Sequence, residues 1–120
     1  MRVFIFLTIA AALGAQAPAS KSAPAPAGDA QNGKKIFASY GCYQCHSYDG
    51  HGGAGARLAP NPPAFAAFTR YVRQPTGEMP PYTRKVVSDQ ELTDIYAYLK
   101  SLPPVKAAKD VPLLNQLKNE

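Results

Sequence analysis

Three reactive side chains fall within five consecutive residues near the middle of the chain, and they constrain the fold more than any other feature. Cys42 and Cys45 are three positions apart and His46 follows directly, which gives the pattern Cys-x-x-Cys-His. Thiols at this spacing lie on the same side of a helical turn, where both can add to the two vinyl groups on one edge of a porphyrin. The adjoining histidine is then within reach of the iron. The pattern therefore predicts covalent haem attachment through both cysteines, with His46 as one axial ligand.

Other kinds of site use part of this pattern. A thioredoxin-type dithiol needs a strand before the motif and a helix after it, whereas here a helical pattern precedes Cys42 and four glycines follow within residues 50–55. A structural zinc site needs four ligands, but the chain has only two cysteines and two histidines, and the second histidine, His51, lies among those glycines. A disulfide between the two cysteines stays open as an alternative.

The first 19 residues have the pattern of a signal peptide. Arg2 precedes an apolar run over residues 3–13, and small residues then offer Ala15-x-Ala17 or Ala17-x-Ala19 as cleavage sites. The first site would leave a proline at the new N-terminus, so the choice between them stays open. The apolar run is shorter than the roughly 20 residues of a membrane span, and no cysteine follows it directly for lipid attachment. We therefore expect export to the periplasm without a firm membrane anchor.

The remaining chain divides into three parts by composition. Residues 20–28 are rich in alanine and proline and predict a linker, residues 29–104 predict one folded domain, and residues 105–120 predict a tail with a short helix after Pro112. The tail either packs weakly on its own domain or docks on another subunit. The formal net charge is +5. The basic residues are scattered, which argues against nucleic-acid binding and leaves solvation, or a docking patch for an acidic partner, as their role. Those in the predicted helices and turns are Lys34, Lys35, Arg70, Arg73, Arg84, Lys85 and Lys100.

Helical periodicity predicts three helices in the domain and no strand. The first begins after Asp29, a good N-cap, and ends near Gly41. A short middle helix fits Ala64 to Arg73. The last begins with the capping box Ser88 to Glu91 and stops at the two prolines that follow Leu102. The sequence therefore predicts an all-α domain.

The second axial ligand is predicted to be Met79. It is the only methionine that remains once Met1 is removed with the signal peptide, and it lies in a proline-bounded loop rather than on a helix face. Histidine with methionine is the ligand pair associated with cytochromes c, and the thioether raises the reduction potential. The rival ligand His51 is only five residues beyond His46, too close along the chain to reach the opposite face of a porphyrin easily.

With these residues placed, the chain resembles the class I c-type cytochromes over about residues 28–102. The resemblance implies one haem c inside the cytochrome c fold, in which the N- and C-terminal helices cross and a short middle helix completes the pocket. Gly33 and Phe37 resemble the pair that the family places on the first helix at this crossing, and Ile95 and Tyr98 resemble the pair on the last.

The resemblance also implies roles for three residues around the haem. Where the family has Gly-Pro-x-Leu, this chain has Gly55-Ala56-Arg57-Leu58, so the carbonyl that accepts a hydrogen bond from the ligand histidine would belong to Ala56. Arg57 either neutralises a propionate or faces solvent. Tyr82 either hydrogen-bonds the haem edge or packs on it.

We therefore expect a one-electron carrier rather than an enzyme. Its single covalent haem c would be ligated by His46 and Met79, and it would pass electrons from a dehydrogenase or respiratory donor to an acceptor oxidase or cytochrome. The segment from Met79 to Tyr82 also resembles small cytochromes that serve periplasmic dehydrogenases as electron-accepting subunits. The alternative is a haem enzyme or ligand sensor with a labile sixth ligand, for which His51 is the one histidine left for acid–base chemistry.

Overall fold

A computed structural model describes residues 24–117 of the chain. In this part the helices are α1 (Ala30–Ser39), α2 (Tyr43–His46), α3 (Phe65–Arg73), α4 (Asp89–Ser101) and α5 (Pro112–Leu117), with a 3₁₀ turn at Ala108–Asp110. No strand is present within these residues. The all-α prediction is confirmed, and the strand that a thioredoxin-type dithiol requires is missing from the described chain. The predicted signal peptide, residues 1–19, lies outside the described residues.

Helix α1 begins where its cap predicts. The Asp29 carboxylate accepts hydrogen bonds from the backbone N–H groups of Gln31 and Asn32, at 2.8 and 3.1 Å, and so satisfies two of the amides that a helix start leaves without partners. The helix then buries Gly33, Ile36 and Phe37. This spacing places the three residues on one face, which turns toward the last helix of the domain.

Helix α4 supplies more of the buried core than any other helix. The Ser88 hydroxyl accepts from the Glu91 N–H at 3.2 Å and the Glu91 carboxylate accepts from the Ser88 N–H at 2.7 Å, which is the predicted capping box. The predicted apolar face is buried at Leu92, Ile95, Tyr96 and Leu99. Helix α4 therefore starts at a fixed point and presents a continuous apolar face to the rest of the domain.

Helices α1 and α4 cross in close contact at Gly33. A methyl group built on this glycine would collide with the backbone carbonyl of Asp94, so the two helices approach each other more closely than any side chain allows. Beside this point the rings of Phe37 and Tyr98 pack with their centroids 5.7 Å apart. The crossing predicted from these residues is confirmed.

A buried carboxylate reinforces the crossing. Asp94 is 3 % exposed and accepts hydrogen bonds from the Asp29 N–H, the Asn32 amide and the Gln90 amide, at 2.9, 2.8 and 2.9 Å. Burial by itself would raise the pKa of Asp94, but these three donors outweigh it and hold the pKa below its ordinary value. A polar link therefore joins the start of α1 to the middle of α4.

Helix α3 packs its aromatic face on α4. Phe68 and Val72 are buried, and the rings of Phe65 and Phe68 lie 5.1 and 5.3 Å from the ring of Tyr96, as the spacing predicts. The solvation role expected for Arg73 is wrong. Its side chain is only 11 % exposed, because it turns back along the domain toward the start of α4.

The segments that flank the domain are irregular or short. Residues 24–29 have no regular structure. The helix predicted after Pro112 is confirmed as α5, and its residues Leu113, Leu114 and Leu117 are exposed. Among the described residues, no helix has the length and apolar character needed to cross a membrane.

Candidate functional site

The domain encloses an apolar cavity of about 270 Å³ between α1, α3, α4 and the connecting loops. Its apolar walls include Phe37, Leu58, Phe68, Val72, Val87, Leu92, Ile95 and Leu99. Of the seven residues predicted to bind the cofactor, six line this cavity, namely Cys42, His46, Ala56, Arg57, Met79 and Tyr82. The fold thus collects residues from three separate segments of the chain around one space.

His46 is the last residue of helix α2, and the Ala56 carbonyl fixes the orientation of its side chain. The side chain is 9 % exposed, and its Nδ1 lies 2.8 Å from the carbonyl oxygen of Ala56. Because a carbonyl only accepts, Nδ1 carries the proton in this contact, which leaves Nε2 as the nitrogen free to ligate a metal. The structure therefore contains the contact that the family resemblance implied, with Ala56 in the place of the usual proline.

Glycine at position 55 allows this contact. A Cβ at Gly55 would lie 2.7 Å from His46 Cε1 and 2.9 Å from Nδ1, so any larger residue would displace the ring. The Gly55 N–H donates to the Cys45 carbonyl at 2.8 Å, which fixes the loop against α2. The imidazole is therefore packed between α2 and the glycine-rich loop.

The two cysteines differ in their surroundings. Cys42 lines the cavity and is half-buried, and burial raises the pKa of its thiol to about 11. Cys45 is exposed and is not among the cavity-lining residues. Both are free thiols in the structure. Cys42 is therefore the thiol that faces the cavity, whereas Cys45 is exposed and its carbonyl is bonded to the backbone of the glycine loop.

Met79 reaches the cavity from the loop between α3 and α4. It is half-buried, and the residues before and after it are exposed. The loop is attached at its far end, where the Tyr82 N–H donates to the Val72 carbonyl at 3.0 Å. The predicted second ligand thus lies on a loop that is anchored on one side by α3.

Arg73 provides the main attachment of this loop. Its guanidinium donates to the carbonyl oxygens of Tyr82 and Val87, at 2.8 and 2.5 Å, and to the Asp89 carboxylate at 2.7 Å. The Arg73 and Arg84 guanidinium groups lower the pKa of Asp89. Sequence reasoning missed this function of Arg73, since its partners are 9 to 16 residues away along the chain and no local pattern signals them.

Tyr82 and Arg57, for which two roles each were predicted, both line the cavity. The Tyr82 hydroxyl donates to the Tyr40 carbonyl at 3.2 Å, so in this structure the tyrosine packs on the cavity with its hydroxyl engaged by the end of α1. Burial raises the pKa of Tyr82. The Arg57 side chain is exposed and its Nε donates to the His51 carbonyl at 3.3 Å.

His51 does not line the cavity. Its ring nitrogens contact the Pro103 carbonyl at 2.9 Å and the Asp49 carboxylate at 3.1 Å. The histidine is therefore engaged at the surface, and it is not placed as an acid–base group beside the predicted haem.

The chemistry of the cavity fits a haem. A flat apolar macrocycle requires an apolar space, and its iron requires soft or nitrogen donors such as a thioether and an imidazole. The cavity offers apolar walls, an imidazole with one nitrogen free, a thioether and a thiol. The residues present can therefore hold the cofactor that the Cys-x-x-Cys-His pattern predicts.

Comparison with known proteins identifies one family. The family model described as cytochrome c oxidase, cbb3-type, subunit III matches residues 28–99, which is more than half of the chain. Neither a curated protein nor a solved structure matches the chain. The match confirms the predicted c-type cytochrome domain and agrees with the all-α cytochrome c fold.

Proposed function

The chain belongs to the family described as cytochrome c oxidase, cbb3-type, subunit III, and on this basis we propose that it is an exported one-electron carrier with a single haem c attached through Cys42 and Cys45. His46 and Met79 are the proposed axial ligands. A c-type cytochrome domain indicates a haem c electron-transfer protein. The single observation that carries the finer proposal is the convergence of Cys42, His46 and Met79 on one apolar cavity.

The chain's own residues prepare this site for electron transfer. When bound, the haem supplies an iron that gains and loses one electron. The Ala56 carbonyl holds His46 Nδ1 and so fixes the direction of Nε2. Met79 offers a soft sulfur that favours the reduced state and raises the potential. The buried apolar walls exclude water, so little solvent has to reorganise when the charge changes.

Partners and location follow from the same proposal. The family description names an oxidase subunit, which supports electron delivery toward an oxidase complex as acceptor, with a dehydrogenase or respiratory carrier as donor. The signal-peptide pattern in residues 1–19 supports a periplasmic location. The mature chain is mildly basic once Arg2 is removed and two propionates are added, which suits contact with an acidic partner surface without requiring one.

Haem content and ligation test the proposal directly. The protein should be produced with haem-attachment machinery and denatured before mass spectrometry, and we expect one haem to remain bound. The visible spectrum should be that of low-spin iron with the charge-transfer band of methionine ligation, without reaction with carbon monoxide. Met79→Ala should lose that band while the haem stays attached. A protein without covalent haem would refute the proposal, and high-spin, readily ligated iron in the wild type would favour the haem enzyme or sensor instead.

A further inference from the structure

His51 lies in the loop that follows α2 and contacts an acceptor at each ring nitrogen. Its Nε2 is 2.9 Å from the Pro103 carbonyl oxygen, and its Nδ1 is 3.1 Å from an Asp49 carboxylate oxygen. A carbonyl oxygen only accepts hydrogen bonds, so Nε2 is the donor in the contact with Pro103. Through the Pro103 and Asp49 contacts together, His51 bridges its own loop and the segment after α4.

The loop that His51 holds is the loop that supports His46. The Gly52 N–H donates to the His46 carbonyl at 3.1 Å, and Arg57 Nε donates to the His51 carbonyl at 3.3 Å. Between these two contacts the loop carries Ala56, whose carbonyl contacts His46 Nδ1. Residues 51–57 are therefore closely bonded, and a shift of His51 moves the Ala56 carbonyl that accepts the hydrogen bond from His46 Nδ1–H.

Few charged or titratable groups face His51. Asp49 and Arg57 come from its own loop, and on α4 burial of the Tyr98 hydroxyl, together with the charge of Asp49, raises the pKa of Tyr98. The Tyr98 hydroxyl donates to the Tyr48 carbonyl at 2.5 Å, which makes a second link between α4 and the same loop. Hydrogen bonds from the Ser47 hydroxyl and the His51 N–H lower the pKa of Asp49 to about 2, so this partner is ionised at neutral pH.

We propose that His51 is a positioning residue for His46: by bridging Asp49 and the Pro103 carbonyl, it fixes the loop whose Ala56 carbonyl accepts the hydrogen bond from His46 Nδ1–H. The inference rests on the proposed function, in which His46 ligates the haem iron. The bond to Ala56 makes the imidazole a stronger donor, and a stronger donor stabilises the more positively charged iron and lowers the reduction potential. Loss of the bridge to Pro103 should weaken this bond and raise the potential.

Two variants of the holoprotein separate positioning from simple electrostatics. His51→Gln has no charge but keeps a terminal N–H group that can donate to the Pro103 carbonyl, whereas His51→Ala has neither. Because both variants are uncharged at this position, a direct field effect on the iron is the same in both. We expect a higher reduction potential in His51→Ala than in His51→Gln. We also expect His46 Nδ1–H to exchange with solvent about tenfold faster in His51→Ala, the amount that corresponds to one lost hydrogen bond.

Equal potentials and equal exchange rates in the two variants would overturn the proposal. If His51→Ala does not fold, His51→Asn takes its place, since an asparagine amide reaches Asp49 but is too short for Pro103; it should then differ from His51→Gln in the same direction. The spectrum of the wild type keeps this test apart from the proposed function. High-spin iron would refute ligation by Met79, but the comparison of the His51 variants would stay valid because it depends only on ligation by His46. Absence of haem would refute the proposed function itself, before any variant is compared.

Discussion

The two sides of the cavity are built in different ways. The histidine side, residues 41–58, is held by main-chain hydrogen bonds that link α2 to the glycine-rich loop, among them those from the N–H groups of Gly52 and Gly55. The methionine side, residues 74–87, is attached mainly through two residues, Arg73 and Tyr82. Residues 75–81 make no hydrogen bond within residues 24–117, and Arg73 attaches the loop at Tyr82 and Val87.

Because of this difference, we expect Met79 to be more mobile than His46. Main-chain bonds are distributed over several residues, so the loss of any one leaves the others in place, whereas the methionine side is attached mainly by the Arg73 guanidinium, with two further hydrogen bonds from Tyr82. Prolines on both sides of Met79 restrict the loop in the unfolded chain as well as in the folded one. We therefore expect the thioether to leave the iron more readily than the imidazole.

Removal of the covalent bonds between the histidine side and the haem should have the largest effect. The folded domain is about 75 residues long, too short to bury a large core without its cofactor, so Cys42→Ala/Cys45→Ala should lose most of its helical circular dichroism. The two single variants, Cys42→Ala and Cys45→Ala, show which thiol matters more. Because Cys42 lines the cavity and Cys45 does not, Cys42→Ala should be the more damaging. A native-like spectrum of the double variant without haem would contradict this prediction.

Replacement of Arg73 should have the next largest effect, and we expect this effect to be confined to the methionine side. Arg73→Ala leaves the carbonyl groups of Tyr82 and Val87 without their donor, which we expect to cost about 3 kcal/mol. The methionine charge-transfer band should weaken while haem attachment persists. The matched control is Arg84→Ala, because Arg84 also pairs with Asp89 but is 73 % exposed and should contribute less than about 1 kcal/mol. Equal losses in urea unfolding would show that the carbonyl contacts are unimportant.

A pair of glycine substitutions tests the histidine side against the methionine side. In Gly55→Ala the new methyl group meets the His46 ring, and overpacking of this kind costs about 2 kcal/mol. In Gly77→Ala the nearest atom, the Tyr71 hydroxyl oxygen, is 3.7 Å away, an ordinary contact, so the stability should change by less than about 0.5 kcal/mol. Thermal unfolding of the two holoproteins measures the difference. Similar losses in both would mean that the histidine side is not the tighter of the two.

Local patterns predicted the frame of this protein well. The capping box at Ser88 and the apolar spacing after it define α4 without any tertiary information, and the Cys-x-x-Cys-His pattern gives the position of the cavity along the chain. Gly33 and Phe37 were found through their family resemblance, and the crossing they imply is present. These features depend on residues within one or two helical turns, or on a pair of helices whose packing is repeated across a family.

The attachments of the two loops could not be predicted in this way. The sequence predicts solvation or a docking patch for Arg73, because its side chain meets its partners only after the methionine loop folds back on α3. His51 contacts a carbonyl 52 residues away, and the partner of the Tyr82 hydroxyl is 42 residues away. Backbone carbonyls are acceptors at every position, so the identity of the residue gives no signal of which one is used.

Loss of the Tyr82 hydroxyl should have a modest effect on the methionine side. Tyr82→Phe removes the donor to the Tyr40 carbonyl but keeps the ring that packs on the cavity, so we expect a loss of about 1 kcal/mol. The reduction potential should stay close to that of the wild type, since the ring remains. A large change in potential would instead indicate that the hydroxyl contacts the haem in the holoprotein, which was the other role predicted for it.

The smallest expected difference between the two sides is in how Asp49 and Asp89 make the unfolding free energy depend on pH in acid. The pKa of Asp49 on the histidine side is lowered to about 2, first by the Ser47 hydroxyl, and the pKa of Asp89 beside the methionine loop is lowered, first by Arg73. A carboxyl whose pKa is lower in the folded protein than in the unfolded chain contributes stability above its unfolded value of about 3.9, and this contribution is lost as the pH falls through the folded value. Asp49→Asn and Asp89→Asn should each flatten the fall in unfolding free energy below about pH 4. Since Asp89 is bonded to Arg73, only Asp89→Asn should also weaken the methionine charge-transfer band at neutral pH, and the same weakening in Asp49→Asn would show that the two sides of the cavity are not held independently.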